Sequence, residues 1–248
     1  MYGRWLAGCT LAVLLLVPAV MSADPTELRI GQQVLQQYER QRLVMRGTRY
    51  NTILKPIAAK LSAAGRGLYD EPFRFFVLRS KAPNAFSVPG GYIFVTTSLI
   101  DIVKTKDELA CVSGHEMAHV IEHDVMNRIK RTQQTGIWLT LGQLLVGGET
   151  AQIASIALDL QSLHFDRAVE TEADKIGADL CTKAGFNPYG LIWMMEKFES
   201  LPGQTRTMEM FSDHPREDHR ISDLEAHFKA EPGVFGKFTR DQTTAQAI

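Results

Sequence analysis

The sequence has few cysteines, no surplus of either charge and no apolar run long enough to form a membrane-spanning helix. Its 248 residues include 3 cysteines, too few for a disulfide-dense scaffold. The 27 basic and 28 acidic residues give a net charge of −1, so the totals do not favour a nucleic-acid partner. Two apolar stretches, 10–20 and 136–148, span 11 and 13 residues, whereas a membrane-spanning helix needs about 20. The chain is therefore expected to bury one core as a single globular domain.

The first 23 residues are typical of a secretory signal peptide. Arg4 is their only charge, the apolar run 10–20 follows it, and the small residues Ser22 and Ala23 mark the cleavage site. Such a leader predicts export to the periplasm. The alternative is a lipoprotein acylated at Cys9 of the lipobox-like "LAGC", although here the apolar run follows the cysteine instead of preceding it.

Removal of this leader leaves two cysteines, Cys111 and Cys181. An oxidising compartment would allow one disulfide between them, and the alternative is a pair of buried thiols. The sequence leaves both open, because it does not give the distance between the two Cα atoms.

Apolar periodicity and turn residues predict helices around a small sheet in the first half of the mature chain. Residues 26–64 have a mostly helical pattern, and the stretches 73–80 and 91–98 are predicted strands joined by the turn-rich "KAPNAFSVPGG". A helix is expected from Asp107 to about Lys130, with Asp107 as its N-cap or as an acid in its first turn.

The second half is also predicted to be helical. Within residues 136–165, the apolar stretch 136–148 favours a buried or lid-like helix and a further helix is expected at 151–163; the next helix is expected at 167–184. Asn187 and Pro188 predict the start of another helix, and the segment 213–215 predicts one more. Beyond these, residues 231–248 lack periodicity and are expected to form a loosely ordered tail.

The strongest chemical signal is "HEMAH" at 115–119. Helical residues four apart lie on one face, so His115 and His119 can present imidazole nitrogens to one metal ion, with Glu116 beside it. The alternative is a pair of core histidines satisfied by backbone carbonyls. That alternative is costly for two imidazoles and a carboxylate in an apolar helix, because buried polar groups need partners.

A third ligand is expected downstream. A third histidine six residues after His119 is excluded, because that position is Val125. The stretch "DRAVETEAD" instead puts Glu170 and Asp174 four apart on one helix face, so Glu170 can bind a metal while Asp174 accepts the ring N–H of a ligand histidine. The alternative for these two acids is a solvated helix face.

Four motifs together carry a family resemblance: "HEMAH", "DRAVETEAD", "NAFSVPGG" before a strand, and "SDHPREDHRI". Over residues 26–228 the chain resembles the gluzincin metallopeptidase family that includes HtpX, the CAAX prenyl proteases and BepA. The resemblance implies a mostly α, α+β zincin-like fold, with a small sheet whose edge strand lines the active-site cleft. The metallopeptidase domain would then span residues 24–230.

The same resemblance implies the site residues. It makes His115, His119 and Glu170 the ligands of one Zn²⁺ ion, Glu116 the catalytic base and Asp174 the partner of a ligand histidine. His214 and Arg220 match a pair near the active site; either could stabilise the negative charge of the transition state, and His214 could instead bind the zinc and keep the enzyme latent. The alternative for "DHP" is that it only starts a helix and has no role in the active site.

The function implied is zinc-dependent cleavage of unfolded or misassembled envelope proteins in the periplasm. The chain departs from its relatives in lacking both several membrane spans and a tetratricopeptide repeat array, which makes a prenylated substrate unexpected; peripheral membrane association and the oligomeric state stay open. Substrate is expected along an exposed strand edge, for which "GYIFVTT" is the candidate.

Two other functional classes compete with a protease. The first is a latent, zinc-bound chaperone for envelope proteins, and the second is a purely structural metal site, which usually has four closed ligands. Four remaining histidines are expected to be structural or solvated: His123, His164, His219 and His227.

Overall fold

The computed structural model describes residues 25–131, 165–200 and 219–248. The expected signal peptide, the Cys9 lipobox, the lid-like segment apart from Phe165, and His214 lie outside the described residues.

Two helices and a short strand open the described chain. Helix α1 covers Pro25–Arg40, strand β1 covers Val44–Met45 and helix α2 covers Arg49–Ala64. Helix α1 buries an apolar face at i, i+4 and i+8, formed by Ile30, Val34 and Tyr38. The prediction of a mostly helical segment here is confirmed, apart from the two-residue strand.

Four strands form one mixed sheet in the order β1-β2-β4-β3. The remaining strands are β2 (Arg74–Leu78), β3 (Ala85–Val88) and β4 (Tyr92–Thr96); β4 is parallel to β2 and antiparallel to β3. The two predicted strands are confirmed as β2 and β4.

Two expectations about this sheet are wrong. The "KAPNAFSVPGG" connection contains strand β3, because Gly90 and Gly91 adopt positive φ values of 86° and 83° and turn the chain back into a β3–β4 hairpin. Strand β4 is consequently an inner strand, so "GYIFVTT" is not the sheet edge. The edge on that side is β3, which packs against the helix that carries "HEMAH".

That helix, α4, covers Lys106–Ile121, between the short helix α3 (Thr97–Ile102) and helix α5 (Asp124–Arg131). Its N-cap is Thr105, whose side chain accepts the N–H of Glu108 at 3.1 Å, while Glu108 accepts the N–H of Thr105 at 2.9 Å. Asp107 therefore has the second of its two expected roles, an acid of the first turn.

The single helix expected to reach Lys130 is interrupted. Helix α4 ends at Ile121, and His123 takes a positive φ of 53° before α5 begins at Asp124. The sequence has no Pro or Gly that would predict this break; at the break, His123 Nδ1 lies 2.7 Å from Glu27 Oε1 of α1.

Among the described residues the remaining α-helices are α6 (Arg167–Lys183), α7 (Tyr189–Ser200), α8 (Arg220–Ala230) and α9 (Pro232–Phe235). The start of α7 is as predicted, with Asn187 Oδ1 accepting the N–H of Tyr189 at 3.1 Å. Every residue from 107 to 120 of α4 is buried, because α2, α6, α7 and β3 pack around it. The expected mostly helical α+β fold is confirmed.

Helices α4 and α6 are joined at close range. Cys111 and Cys181 form a disulfide with their Cα atoms 5.2 Å apart, which decides the question that the sequence left open. Next to it the backbones meet at Gly114 and Gly177, where a Cβ on Gly114 would lie 2.9 Å from the Gly177 carbonyl oxygen.

The expectation of a loosely ordered tail does not fit the contacts of residues 239–248. Thr239 accepts a hydrogen bond from Asn187, and the Arg240 carbonyl accepts one from Trp193 at 2.9 Å. The backbone of Gln246 accepts the N–H of Lys106 at 2.9 Å, at the start of α4. Sequence periodicity does not predict the order of such a segment, because that order comes from hydrogen bonds between its backbone carbonyls and other elements. Across the three described ranges, no helix has the length and apolar character needed to cross a membrane.

Candidate metal centre

The three predicted metal ligands converge. His115 and His119 come from α4 and Glu170 from α6, and one potential ligand atom from each lies within 4.8 Å of the others. The two Nε2 atoms are 3.2 Å apart, and the Glu170 oxygens lie 3.5 Å from His115 Nε2 and 3.7 Å from His119 Nε2. All three residues are at most 3% exposed. The structure thus brings the three predicted ligands together, and Glu170 is not on a solvated helix face.

Each imidazole is held from its other nitrogen by a carboxylate. Asp174 Oδ1 lies 3.0 Å from His115 Nδ1, and Asp124 Oδ2 lies 2.8 Å from His119 Nδ1. A carboxylate accepts, so Nδ1 of His119 is the donor and its Nε2 keeps the lone pair that a metal requires; Asp174 has the corresponding position beside Nδ1 of His115. Asp174 was predicted in this position. Asp124 was missed, because a continuous helix would have turned it away from His119.

Arg220 of α8 lies against the outer side of the cluster. Its Nε and Nη2 donate to the two oxygens of Asp174 at 2.7 and 2.6 Å, and its Nη1 lies 3.2 Å from Glu170 Oε2. The guanidinium fork thus binds Asp174 with both arms and reaches the candidate ligand Glu170. Arg220, which the resemblance implied to lie near the active site, contacts two of the other predicted site residues, Asp174 and Glu170.

The charges of these groups shift their pKa values. Burial alone would lower the pKa of His115, but Asp174 and Glu170 outweigh burial and raise it. Burial would likewise raise the pKa of Asp174, yet Arg220 first and His115 second outweigh burial and lower it. In the metal-free protein the buried acids therefore favour a protonated His115, and they favour positive charge at this position in general.

The donor set fits a zinc ion. Two imidazole nitrogens and one carboxylate oxygen are three ligands of the type that catalytic zinc sites use. The carboxylates that contact the two imidazoles, those of Glu170, Asp174 and Asp124, outnumber the single guanidinium of Arg220, and this excess of negative charge favours a cation. A core-histidine role without metal would leave this excess buried.

The other predicted residues have the following positions. Glu116 lies on α4 directly after His115 and is 1% exposed. His227 Nε2 lies 2.9 Å from Asp179, and His123 contacts Glu27. One neighbour that the sequence gave no reason to select is Phe165, whose ring stacks on His119 with 4.5 Å between centroids. His164 and His214 lie outside the described residues.

Comparison with known proteins gives a family match and several relatives. The model of peptidase family M48 matches residues 49–227, well over half of the chain. Mitochondrial metalloendopeptidase OMA1 of Schizosaccharomyces pombe is 32% identical over 163 residues, which are 64% of this chain and 48% of that protein. Metalloprotease LoiP of Escherichia coli is 27% identical over 185 residues, 71% of each chain. The beta-barrel assembly-enhancing protease of Escherichia coli is 26% identical over 163 residues, 61% of this chain and 34% of that protein. The chain thus spans about half of OMA1 and about a third of the beta-barrel assembly-enhancing protease.

Proposed function

Because this chain belongs to peptidase family M48, we propose that it is a zinc-dependent endopeptidase that cleaves unfolded or misassembled proteins of the bacterial cell envelope. The observation that carries the proposal is the convergence of His115, His119 and Glu170 within 4.8 Å of one another in a buried site. The names of two relatives of this chain, a metalloendopeptidase and a metalloprotease, support the same reaction class.

In this proposal His115, His119 and Glu170 hold one zinc ion per chain. Zinc bound there supplies a Lewis acid and lowers the pKa of a bound water to about 7. The carboxylate of Glu116 takes a proton from the attacking water as the oxygen adds to the peptide carbonyl carbon. Glu116 then gives that proton to the departing nitrogen as the C–N bond breaks, leaving one new carboxylate and one new amine.

Asp174 and Arg220 serve this site by positioning its residues. Asp174 holds the ring of His115, and Arg220 holds Asp174 and approaches Glu170 at 3.2 Å. Since its guanidinium is occupied by these carboxylates, Arg220 is assigned to positioning and not to the transition-state oxygen. His214 remains the candidate for that second task, or for the rival role of a latency ligand.

The substrate class follows from the sheet edge beside the helix. An extended peptide that pairs with an edge strand is bound through its main chain, so recognition favours unfolded polypeptide over a particular side chain. Strand β3 is the edge that packs against α4. The name of one relative, beta-barrel assembly-enhancing protease, supports an envelope assembly role.

The compartment is proposed from two features. The disulfide between Cys111 and Cys181 suits an oxidising compartment such as the periplasm. Residues 1–23 suit a signal peptide cleaved near Ser22 or Ala23, with the Cys9 lipoprotein as the alternative. Mass spectrometry of the mature N-terminus from fractionated cells distinguishes these two outcomes.

The central test compares cleavage of an unfolded protein by the wild type, by Glu116→Gln and by Glu122→Gln. Glu122 is an exposed glutamate just beyond the end of α4 and serves as the matched control. We expect Glu116→Gln to keep its zinc and to lose cleavage by about 100-fold or more, because the base no longer accepts a proton. Glu122→Gln should cleave like the wild type.

Two results would contradict the proposal. Cleavage by Glu116→Gln at the wild-type rate would remove the assigned base. A wild type that binds stoichiometric zinc but never cleaves, even after substitution of His214, would favour the latent chaperone.

A further inference from the structure

We propose that Asp124 is a positioning residue for the metal ligand His119, and that helix α1 holds Asp124 in place through the contact of Glu27 with His123. This inference rests on the proposed function, because it needs a metal ion bound by His119.

The contact itself is short and shielded from water. Asp124 Oδ2 lies 2.8 Å from His119 Nδ1, and the two side chains are 11% and 0% exposed. Because the carboxylate accepts the Nδ1–H, the lone pair of Nε2 is directed at the space shared with His115 and Glu170. The stacked Phe165 ring fixes the same imidazole from its face. His119 therefore has its tautomer and its ring plane set before any metal arrives.

A continuous α4 could not supply this contact. Asp124 follows His119 by five residues, so on one helix it would point about 140° away from it. The break at His123, with its positive φ of 53°, redirects the chain and places Asp124 in the first turn of α5. Such a conformation is uncommon for a non-glycine residue and needs support from its surroundings.

That support comes from α1. Glu27 is 5% exposed, and its two oxygens contact His123 Nδ1 at 2.7 Å and the Tyr69 hydroxyl at 2.6 Å. The Tyr69 ring lies 5.4 Å from the His123 ring, and its hydroxyl accepts the N–H of Gly90 at 3.2 Å. Glu27 thus anchors the break to the β3–β4 turn. Helix α1 precedes residues 49–227 that match the family, so this support is supplied by a part of the chain outside the match.

The test uses the full chain with Asp124→Ala, Asp124→Asn and Glu27→Gln, and with Glu122→Gln as the neighbouring charge control. Zinc affinity is measured by competition with a chromophoric chelator, the ligand field by the visible spectrum of the Co²⁺-substituted protein, and folding by urea unfolding of the metal-free protein. We expect Asp124→Ala to weaken zinc binding by about 10- to 100-fold and to alter the Co²⁺ spectrum. Asp124→Asn should recover part of the affinity, because its amide oxygen can accept the same hydrogen bond. Glu27→Gln should give a smaller loss in the same direction, and Glu122→Gln none.

The outcomes separate this inference from the proposed function. Wild-type zinc affinity and an unchanged Co²⁺ spectrum in Asp124→Ala would overturn the inference while the proposed function stands. So would a loss of affinity that merely parallels a loss of metal-free stability and that Asp124→Asn does not recover. A wild type that binds no zinc would overturn the proposed function and this inference with it.

Discussion

Replacing Gly177 by alanine should weaken the metal centre, although Gly177 is not a ligand. It lies on α6, three residues after Asp174 and seven after Glu170. An added Cβ would lie 2.7 Å from the backbone nitrogen of His115 and 2.8 Å from its Cα. Neither atom can rotate away as a side chain could, so α4 and α6 must move apart.

The size of that movement follows from the contact distances. Ordinary contact begins at 3.4 Å, so the 2.7 Å contact requires a separation of about 0.7 Å. The disulfide holds α6 at Cys181, four residues beyond Gly177, and the helical rise of 1.5 Å puts these residues about 6 Å apart. Glu170 lies about 16 Å from the same fixed point, so a pivot there displaces Glu170 by about 2 Å.

A displacement of this size exceeds what a metal site tolerates. Metal–ligand distances vary by only about 0.2 Å, so we expect zinc affinity to fall by about 100-fold. Stability should fall too. Helix propensity favours alanine over glycine by about 1 kcal/mol, but overpacking against backbone costs up to about 3 kcal/mol, which leaves a net loss of about 2 kcal/mol.

The assays are zinc competition with a chelator and urea unfolding of the metal-free protein. The control is Gly233→Ala in α9, where an added Cβ would meet no atom within 4 Å. It should keep wild-type zinc affinity and stability. If Gly177→Ala also kept wild-type zinc affinity and were as stable as the wild type or more so, the gain in helix propensity would outweigh the cost of overpacking. The close approach of α4 and α6 would then not determine the positions of the ligands.

Two further predictions concern the disulfide and the pH dependence. Replacing both Cys111 and Cys181 by alanine should lower the free energy of unfolding by about 4 kcal/mol, because the bridge closes a separation of 70 residues in the unfolded chain; an unchanged urea midpoint would contradict this. The pKa of His115 is raised above 6.5 in the folded metal-free protein, so its stabilisation is complete below pH 6.5 and is lost as the pH rises through the raised value. Urea unfolding of the chelator-treated protein should show this decline, and His115→Gln should remove it. Zinc needs the deprotonated ring, so zinc affinity should rise over the same pH range. If the unfolding free energy of metal-free His115→Gln depended on pH as steeply as that of the metal-free wild type, the assignment to His115 would be refuted.

The sequence predicted those parts of the site that depend on local helical geometry. His115 and His119 are four apart, as are Glu170 and Asp174, and a spacing of four fixes a common face whatever the rest of the fold does. The helix that carries Glu170 and Asp174 was located to within one residue, whereas the helix that carries the two histidines was predicted nine residues too long at its C-terminal end. Which helix faces which required the family resemblance, because periodicity gives a face but not its partner.

The parts that were missed depend on contacts between distant segments. Asp124 contacts His119 across the break after α4, where His123 contacts Glu27, which lies 96 residues earlier in the chain. Strand β3 is short and is surrounded by turn residues, so its local sequence favours a loop, whereas its pairing with β4 is a tertiary property. Neither feature leaves a periodic signal in the chain.

The disulfide, by contrast, follows from the same register that places the ligands. Helices α4 and α6 run antiparallel, and their contacts pair His119 with Glu170, His115 with Asp174, Gly114 with Gly177 and Cys111 with Cys181. Each step back along α4 is matched by a step forward of three or four residues along α6, so all these contacts lie on one face of each helix. One further step of four residues leads from these two ligand contacts to Cys111 on α4 and to the turn of α6 that runs from Ala178 to Cys181. The ligand geometry is a consequence of how this helix pair is joined, and a change at the disulfide or at the glycine crossing should reach the metal through the same register.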